Sequence, residues 1–255
     1  PLENDYNHTY GIETNMTNRA LRALETMGKD KTISYDEFLN YKYDFSYSKE
    51  STMNFLVNKT LDIISNNEID KIDKNTLAAI NKTLKNWDLS SGRDNTNAAL
   101  PILAFGKILD MPKEKITDEK IISQVILAAE FLNENHNTIN CNWGNVNRLV
   151  RGSVNIPLDG APDVPRAIYT VDFENGQKKA FAGDCYILIA KWDENNKVKS
   201  ESIHQYGAAT SNIESDHYSD QTELFANNKL KNISIHLEDI AKTVKSITIL
   251  DKDIN

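Results

Sequence analysis

A chain of 255 residues with a net charge of −8 is long enough for one large core or two modest ones. Its acidic balance argues against a nucleic-acid partner, because phosphate binding needs clustered Lys and Arg and the basic residues here are scattered among carboxylates. No apolar run approaches the roughly 18 residues that a membrane-spanning helix requires, so no membrane span is expected.

Residues 1 to 14 are polar and aromatic without a period, which suits an extended segment. The start at Pro1, without an initiator Met, a basic region or an apolar leader, reads as an internal or processed piece. Met16, Ala20, Leu21, Ala23, Leu24 and Met27 form an amphipathic stripe that ends at Gly28, which predicts a helix with a C-terminal glycine. Further helices are predicted over 35–40 after Ser34, 52–65, 74–86, 97–108 and 118–133 after Thr117. In the last of these Ile121, Ile122, Val125, Ile126, Ala129 and Leu132 keep one apolar face at helical spacing.

After about residue 140 the period changes from 3.6 to 2. Strands over 166–173 and 178–192 flank Glu174-Asn175-Gly176-Gln177, whose Asn-Gly pair suits a tight hairpin by tolerating positive φ. A second turn at 193–196 leads to Val198, Ser200, Ser202, His204 and Tyr206, which alternate with Lys197, Lys199, Glu201 and Ile203. The expectation is a three-stranded antiparallel meander with Ile187-Leu188-Ile189 in its core. Helices over 217–228 and 236–243 and a terminal strand over 246–250 complete the reading. Repeats, low-complexity tracts and long linkers are absent from the sequence, so the helical half is expected to pack on the sheet half as one piece.

Several segments resemble, in order, those of the penicillin acylase (penicillin amidase) family of N-terminal-nucleophile hydrolases. They are Thr17-Asn-Arg-Ala-Leu-Arg-Ala-Leu-Glu25, Ile33-Ser-Tyr-Asp-Glu-Phe38, Lys42-Tyr-Asp44, Asn86-Trp-Asp88 with Ala98-Ala99, and Trp143-Gly-Asn-Val-Asn-Arg-Leu-Val-Arg-Gly152. Gly183-Asp-Cys-Tyr186, Ser202-Ile-His-Gln-Tyr-Gly-Ala-Ala-Thr210, Ser215-Asp-His-Tyr-Ser-Asp-Gln221 and Leu224-Phe225 continue the series. Within the family the chain looks most similar to the branch containing aculeacin and acyl-homoserine-lactone acylases.

The resemblance implies an α+β fold that is part of an αββα sandwich, mainly helical over 1–140 and mainly antiparallel strands with terminal helices over 141–255. It implies an amidohydrolase that cuts N-acyl bonds with a Ser at the N-terminus of its large β chain, the Ser's own α-amino group serving as base. Pro1 has neither hydroxyl nor thiol, so the nucleophile would lie upstream and this chain, the C-terminal part of the β chain, would be inactive alone. Its partners would be the small α chain, the N-terminal part of the β chain and a small N-acyl substrate. Oxyanion donors in the family are a backbone N–H and an Asn, each worth about 3–4 kcal/mol in acyl transfer. Asn4, Asn7 and Asn15 stand in no Asn-x-Asn context, and the oxyanion Asn is expected before Pro1.

The residue carried over to the catalytic region is Arg19, the first Arg of the family's Arg-x-x-Arg, with Arg22 the second. A planar, permanently charged fork suits the orienting of polar groups at a cleft, while the plainer alternative for both is a surface salt bridge. His217 could act as a base near neutral pH, but an N-terminal nucleophile needs no His. His217, Tyr218, Asp220 and Gln221 are therefore expected to be structural, Asp216 standing where the family commonly has Pro, and His204 is expected to be buried and satisfied. The two cysteines and five histidines show no C-x-x-C or H-x-x-x-H spacing, so no metal or cofactor is expected. A periplasmic or secreted location, as in the family, would permit a bridge between Cys141 and Cys185. Two other readings stay open: a family member that has lost catalysis and serves in binding or structure, and an independent α+β binding module.

Overall fold

The computed structural model describes residues 16–66, 69 and 72–248. The expected extended segment at 1–14, Pro1 and the asparagines Asn4, Asn7 and Asn15 lie outside the described residues. The chain divides into two compact units, Pro1–Asp184 and Cys185–Asn255.

In the first unit the helices are α1 (Asn18–Glu25), α2 (Tyr35–Lys42), α3 (Thr52–Asn66), α4 (Lys74–Asn86), α5 (Ala99–Phe105), α6 (Asp118–His136) and the single turn α7 (Trp143–Val146). Their ends follow capping chemistry. Ser34 and Glu37 form a reciprocal capping box on α2, Asp73 accepts from Asn75 N and Thr76 N, and Thr117 accepts from Lys120 N. α6 runs a turn beyond its expected end and stops at Asn137, whose left-handed backbone (φ 55) closes it. The core joins Leu56, Ile80, Leu100, Phe105, Ile121 and Trp143, each side chain of this size worth about 1.5–3 kcal/mol when removed from water.

α1 does not bury its apolar stripe. Met16 and Leu24 are exposed and the one buried residue of the helix is Asn18, so polar contacts set its orientation.

The change of period at residue 140 is not a boundary between units. The strands β1 (Asn147–Arg151), β2 (Val154–Pro157), β3 (Ile168–Asp172) and β4 (Lys178–Gly183) belong to the helical unit as a sheet of order β2-β1-β4-β3. β1 and β4 pair in parallel, and the other pairs are antiparallel. The hairpin between β3 and β4 turns on Asn175 (φ 54) and Gly176 (φ 69), as their residue types predict.

The expected meander is broken at Gly183. That residue has φ +112, and a Cβ there would stand 2.1 Å from the Ala167 carbonyl oxygen, so no side chain fits. The Asp184 amide then donates to the same oxygen at 2.8 Å. The predicted strand over 178–192 is consequently two strands in two sheets, β4 above and β5 (Tyr186–Trp192) in the second unit.

In that unit β5, β6 (Val198–His204) and β7 (Lys231–Ile233) form an antiparallel sheet, accompanied by α8 (Thr222–Ala226) and α9 (Leu237–Thr243). Ile187 and Ile189 are buried whereas Leu188 is exposed, because only one face of β5 is covered and the pleat turns alternate residues outward. α8 is shorter than the predicted helix. No strand forms over 246–248, and 249–250 lie outside the described residues; β7 takes the edge of β6 instead.

Asp184 also carries the principal ion-pair junction of the first unit. Its Oδ2 accepts from Lys42 Nζ at 2.6 Å and from Arg166 Nη1 at 3.1 Å. The Arg166 side chain is 0% exposed, and its guanidinium lies 5.3 Å from the Tyr43 ring centroid. Burial lowers the Arg166 pKa and Asp184 opposes that shift. Removing one partner of a buried pair leaves the other charge uncompensated, so Asp184→Asn is expected to lower unfolding free energy by about 3 kcal/mol, read from denaturant midpoints.

Cys141 is buried and Cys185 exposed, and neither is in a disulfide. Burial pushes the Cys141 thiol up to about 11. One thiol, that of Cys185, is therefore expected to react with maleimide under native conditions and both after unfolding, as counted by intact mass.

Candidate functional site

The polar face of α1 is where the site residues expected from sequence meet other elements. Thr17 caps the helix by accepting from Ala20 N at 3.3 Å. Asn18, 3% exposed, is fully engaged. Its backbone N–H donates to Asp163 Oδ2 at 2.8 Å, its Nδ2 donates to the carbonyls of Ser46 (3.1 Å) and Asp163 (2.9 Å), and its Oδ1 accepts from Ser48 N at 2.7 Å. Helical geometry leaves the first-turn N–H groups without internal acceptors, and here a side chain from a distant turn supplies one.

The two arginines of the Arg-x-x-Arg pair differ in what holds them. Arg22 Nε donates to Asp44 Oδ2 and its Nη1 to Glu25 Oε2, both at 2.6 Å. Burial opposes charge on Arg22, yet these two carboxylates together raise its pKa above the ordinary arginine value. Glu25 in turn accepts from the Ser48 hydroxyl, which with Arg22 holds its carboxyl below the usual range. Asp44 also accepts from Ser46 N at 3.0 Å, and its carbonyl accepts from Arg166 N at 2.8 Å. Arg19, one turn earlier, is 52% exposed, and its Nε stands 3.6 Å from Asp163 Oδ1, too far for a hydrogen bond.

Asp163 has a left-handed backbone (φ 63), a conformation that Asp tolerates better than most residues. Its Oδ1 is buried and turned toward the first turn of α1. Burial pushes its carboxyl up, against the Asn18 amide and the Arg19 charge. The preceding Pro162 lines an open cavity of about 570 Å³ whose walls include Ile102, Phe131 and Phe181, with Asp110 and Lys178 among its charged groups. Lys178 pairs with Asp172 and lies 4.3 Å from the Phe131 ring centroid.

The second unit holds the histidines singled out from sequence. His217 Nδ1 pairs with Asp220 Oδ2 at 2.9 Å at the surface, and the His217 carbonyl accepts from Ala209 N at 3.0 Å. Gln221 is buried; its Oε1 accepts from His204 N and its own N–H donates to the Tyr206 carbonyl. The run therefore clasps the end of β6. His204 is exposed, not buried as expected, with its ring 4.7 Å from that of Tyr186. Ile203 takes the covered face, and the pleat sends the next residue outward.

Asn18, Asp44 and Asp163 were not singled out by chemistry in the sequence. Asn18 and Asp44 lie within family-like segments, but nothing in their spacing points to Asp163 or Arg22 as partners. Among the described residues no group of three or more His, Cys, Asp or Glu is placed to hold a metal, and no helix is long and apolar enough to cross a membrane.

A family model described as penicillin amidase matches residues 1–242. Among solved structures, the thermostable penicillin G acylase from Alcaligenes faecalis aligns with a TM-score of 0.47 at 12% identity, covering 97% of this chain and 54% of that one. The chain thus spans about half the length of that structure, 54%. No curated protein matches it in sequence.

The unequal holding of these residues is measurable as stability. Asn18→Ala deletes several buried hydrogen bonds worth about 1 kcal/mol each and is expected to cost about 2–3 kcal/mol. Arg22→Gln is expected to cost about 1–2 kcal/mol, and Arg19→Gln to stay within about 0.5 kcal/mol of the parent. Chemical denaturation of the three variants checks the order.

Proposed function

The chain belongs to the penicillin amidase family, and on that footing we propose that it is the C-terminal part of the large chain of an amidohydrolase acting on N-acyl bonds. In the intact enzyme a Ser at the N-terminus of the large chain, upstream of this segment, attacks the acyl carbonyl while its α-amino group takes the proton. The tetrahedral oxyanion collapses to an acyl-enzyme with departure of the amine, and water then releases the acid. This segment supplies part of an αββα sandwich and one polar group at the cleft, Arg19. The small α chain and the earlier part of the β chain supply the rest. The motifs as they stand here look most similar to those of the branch of aculeacin and acyl-homoserine-lactone acylases, and by family resemblance the enzyme works in the periplasm or outside the cell.

The observation that supports Arg19 over Arg22 is the difference in their partners. A guanidinium clamped by Asp44 and Glu25 has its Nε and one Nη donor committed to carboxylates. One that is half exposed and, among the described residues, stands 3.6 Å from the carboxylate paired with it can offer its fork to a substrate or to a polar group of the cleft. Asn18 holds the helix under it, so the fork is carried on a fixed element.

Intact-mass analysis with N-terminal sequencing of the purified protein tests the assembly: a companion chain beginning with Ser is expected. In that assembly, Arg19→Gln is expected to lower kcat/KM for N-acyl amides at least about tenfold, equivalent to about 1.4 kcal/mol. Hydrolysis that is absent from an assembly containing every chain would instead favour a family member that has lost catalysis.

A further inference from the structure

We propose that Asp163 is the positioning residue for Arg19, its carboxylate joining the first turn of α1 to the cleft arginine and setting where the guanidinium stands. The inference rests on the reading of Arg19 as a cleft residue and extends it to a second side chain, far away in sequence.

Three geometric facts converge on Asp163. Its backbone is left-handed at φ 63, and its carboxylate reaches α1. One oxygen, Oδ2, receives the Asn18 amide at 2.8 Å, and its carbonyl receives the Asn18 side chain at 2.9 Å, so turn and helix cannot move independently. A carboxylate at a helix N-terminus is also favoured by the helix dipole. The other oxygen, Oδ1, is buried and faces Arg19 Nε at 3.6 Å, and the Arg19 backbone N–H also acts on the carboxylate. A small shift of the Arg19 side chain would turn that ion pair into a charge-assisted hydrogen bond. Within the described residues Asp163 is the acid paired with Arg19, whereas Arg22 has two.

The surroundings make the pair sensitive to protonation. Burial raises the Asp163 pKa, the Asn18 amide and Arg19 lower it, and the negative charge of Asp110 raises it further. Tyr47 is also close enough to feel the Asp163 charge; its own hydroxyl, donating to the Pro162 carbonyl, is pushed well above its usual range by burial first and Asp163 second. In its ionised form Asp163 holds Arg19. It loses that charge as pH falls through a value above the ordinary carboxyl range, so activity through Arg19 declines there. For stability the sign is opposite: a raised carboxyl contributes most below its unfolded pKa, and the contribution is lost as pH rises through the folded value.

The test is kcat and KM against pH in the assembled enzyme, with hydrogen exchange of residues 17–25 as the structural control. Asp163→Asn keeps an oxygen for the Asn18 amide and a residue that accepts a left-handed backbone. It is expected to preserve exchange protection of α1, to lower kcat about tenfold with KM within about twofold, and to flatten the acid limb. Asp110→Asn, which leaves α1 untouched, is expected to move the acid limb to lower pH, and it serves as the test if Asp163→Asn unfolds the helix. A parental kcat and pH profile in Asp163→Asn, alongside a damaging Arg19→Gln, would overturn the positioning role alone. A parental kcat in Arg19→Gln would overturn the reading of Arg19 and this inference with it. An acid limb that stays put in Asp110→Asn would also sink the proposal.

Discussion

A buried amide must find partners for both its donors and its acceptor, and in this chain that requirement decides where α1 sits. Asn18 contributes four hydrogen bonds, to Ser46, Ser48 and two atoms of Asp163. Each is modest in net terms, about 1 kcal/mol, but leaving such groups buried and unpaired costs more than making the bonds gains. The helix is thus held by directional contacts on its polar side while Met16 and Leu24 remain exposed. Directional contacts fix rotation about the helix axis in a way that burial of an apolar stripe does not. Arg19 and Arg22, neighbours on that face, then receive different environments from a single placement.

The acidic surplus of the chain is put to use at such joints. Asp44 takes Arg22 with its carboxylate and the Arg166 amide with its carbonyl. Asp184 binds Lys42 and the fully buried Arg166. Pairs of this kind contribute little net stability relative to well-packed apolar residues of the same volume, yet losing one partner is costly. In this unit they select one arrangement of the 42–48 segment, the turn ending at Asp163 and the end of β4. The functional proposal needs that same selection, because an orienting arginine is useful only if its helix has one position.

Much of this was legible in the sequence. Helix positions followed from period and caps: α4 fell on its predicted bounds, and α2, α3 and α6 lay within a few residues of theirs. The Asn175-Gly176 hairpin followed from the need for positive φ. The break at Gly183 did not, because Lys178 to Trp192 keep strand composition throughout, and the obstacle is the Ala167 carbonyl pressed against the Gly183 Cα. A lone glycine in a strand pattern was the available signal.

Short-range physics is written in short-range patterns. Capping, hydrophobic period, turn residues and the order of family-like motifs depend on neighbours a few positions apart, so the sequence by itself determined most of the helices, the Asn175-Gly176 turn, the α+β class and the family, while α1 stops at Glu25 short of Gly28 and α8 is shorter than its pattern. What separates Arg19 from Arg22 is of another kind. They share a helix, a residue type and one turn, and apart from the family resemblance that marks Arg19 the sequence offers no physical reason to treat them differently. The difference comes from Asp163, 145 residues from Asn18, and from Asp44 beyond the next helix. Only the tertiary structure could decide it, since the strength of an ion pair depends on distance and burial in space, and neither is a function of spacing along the chain.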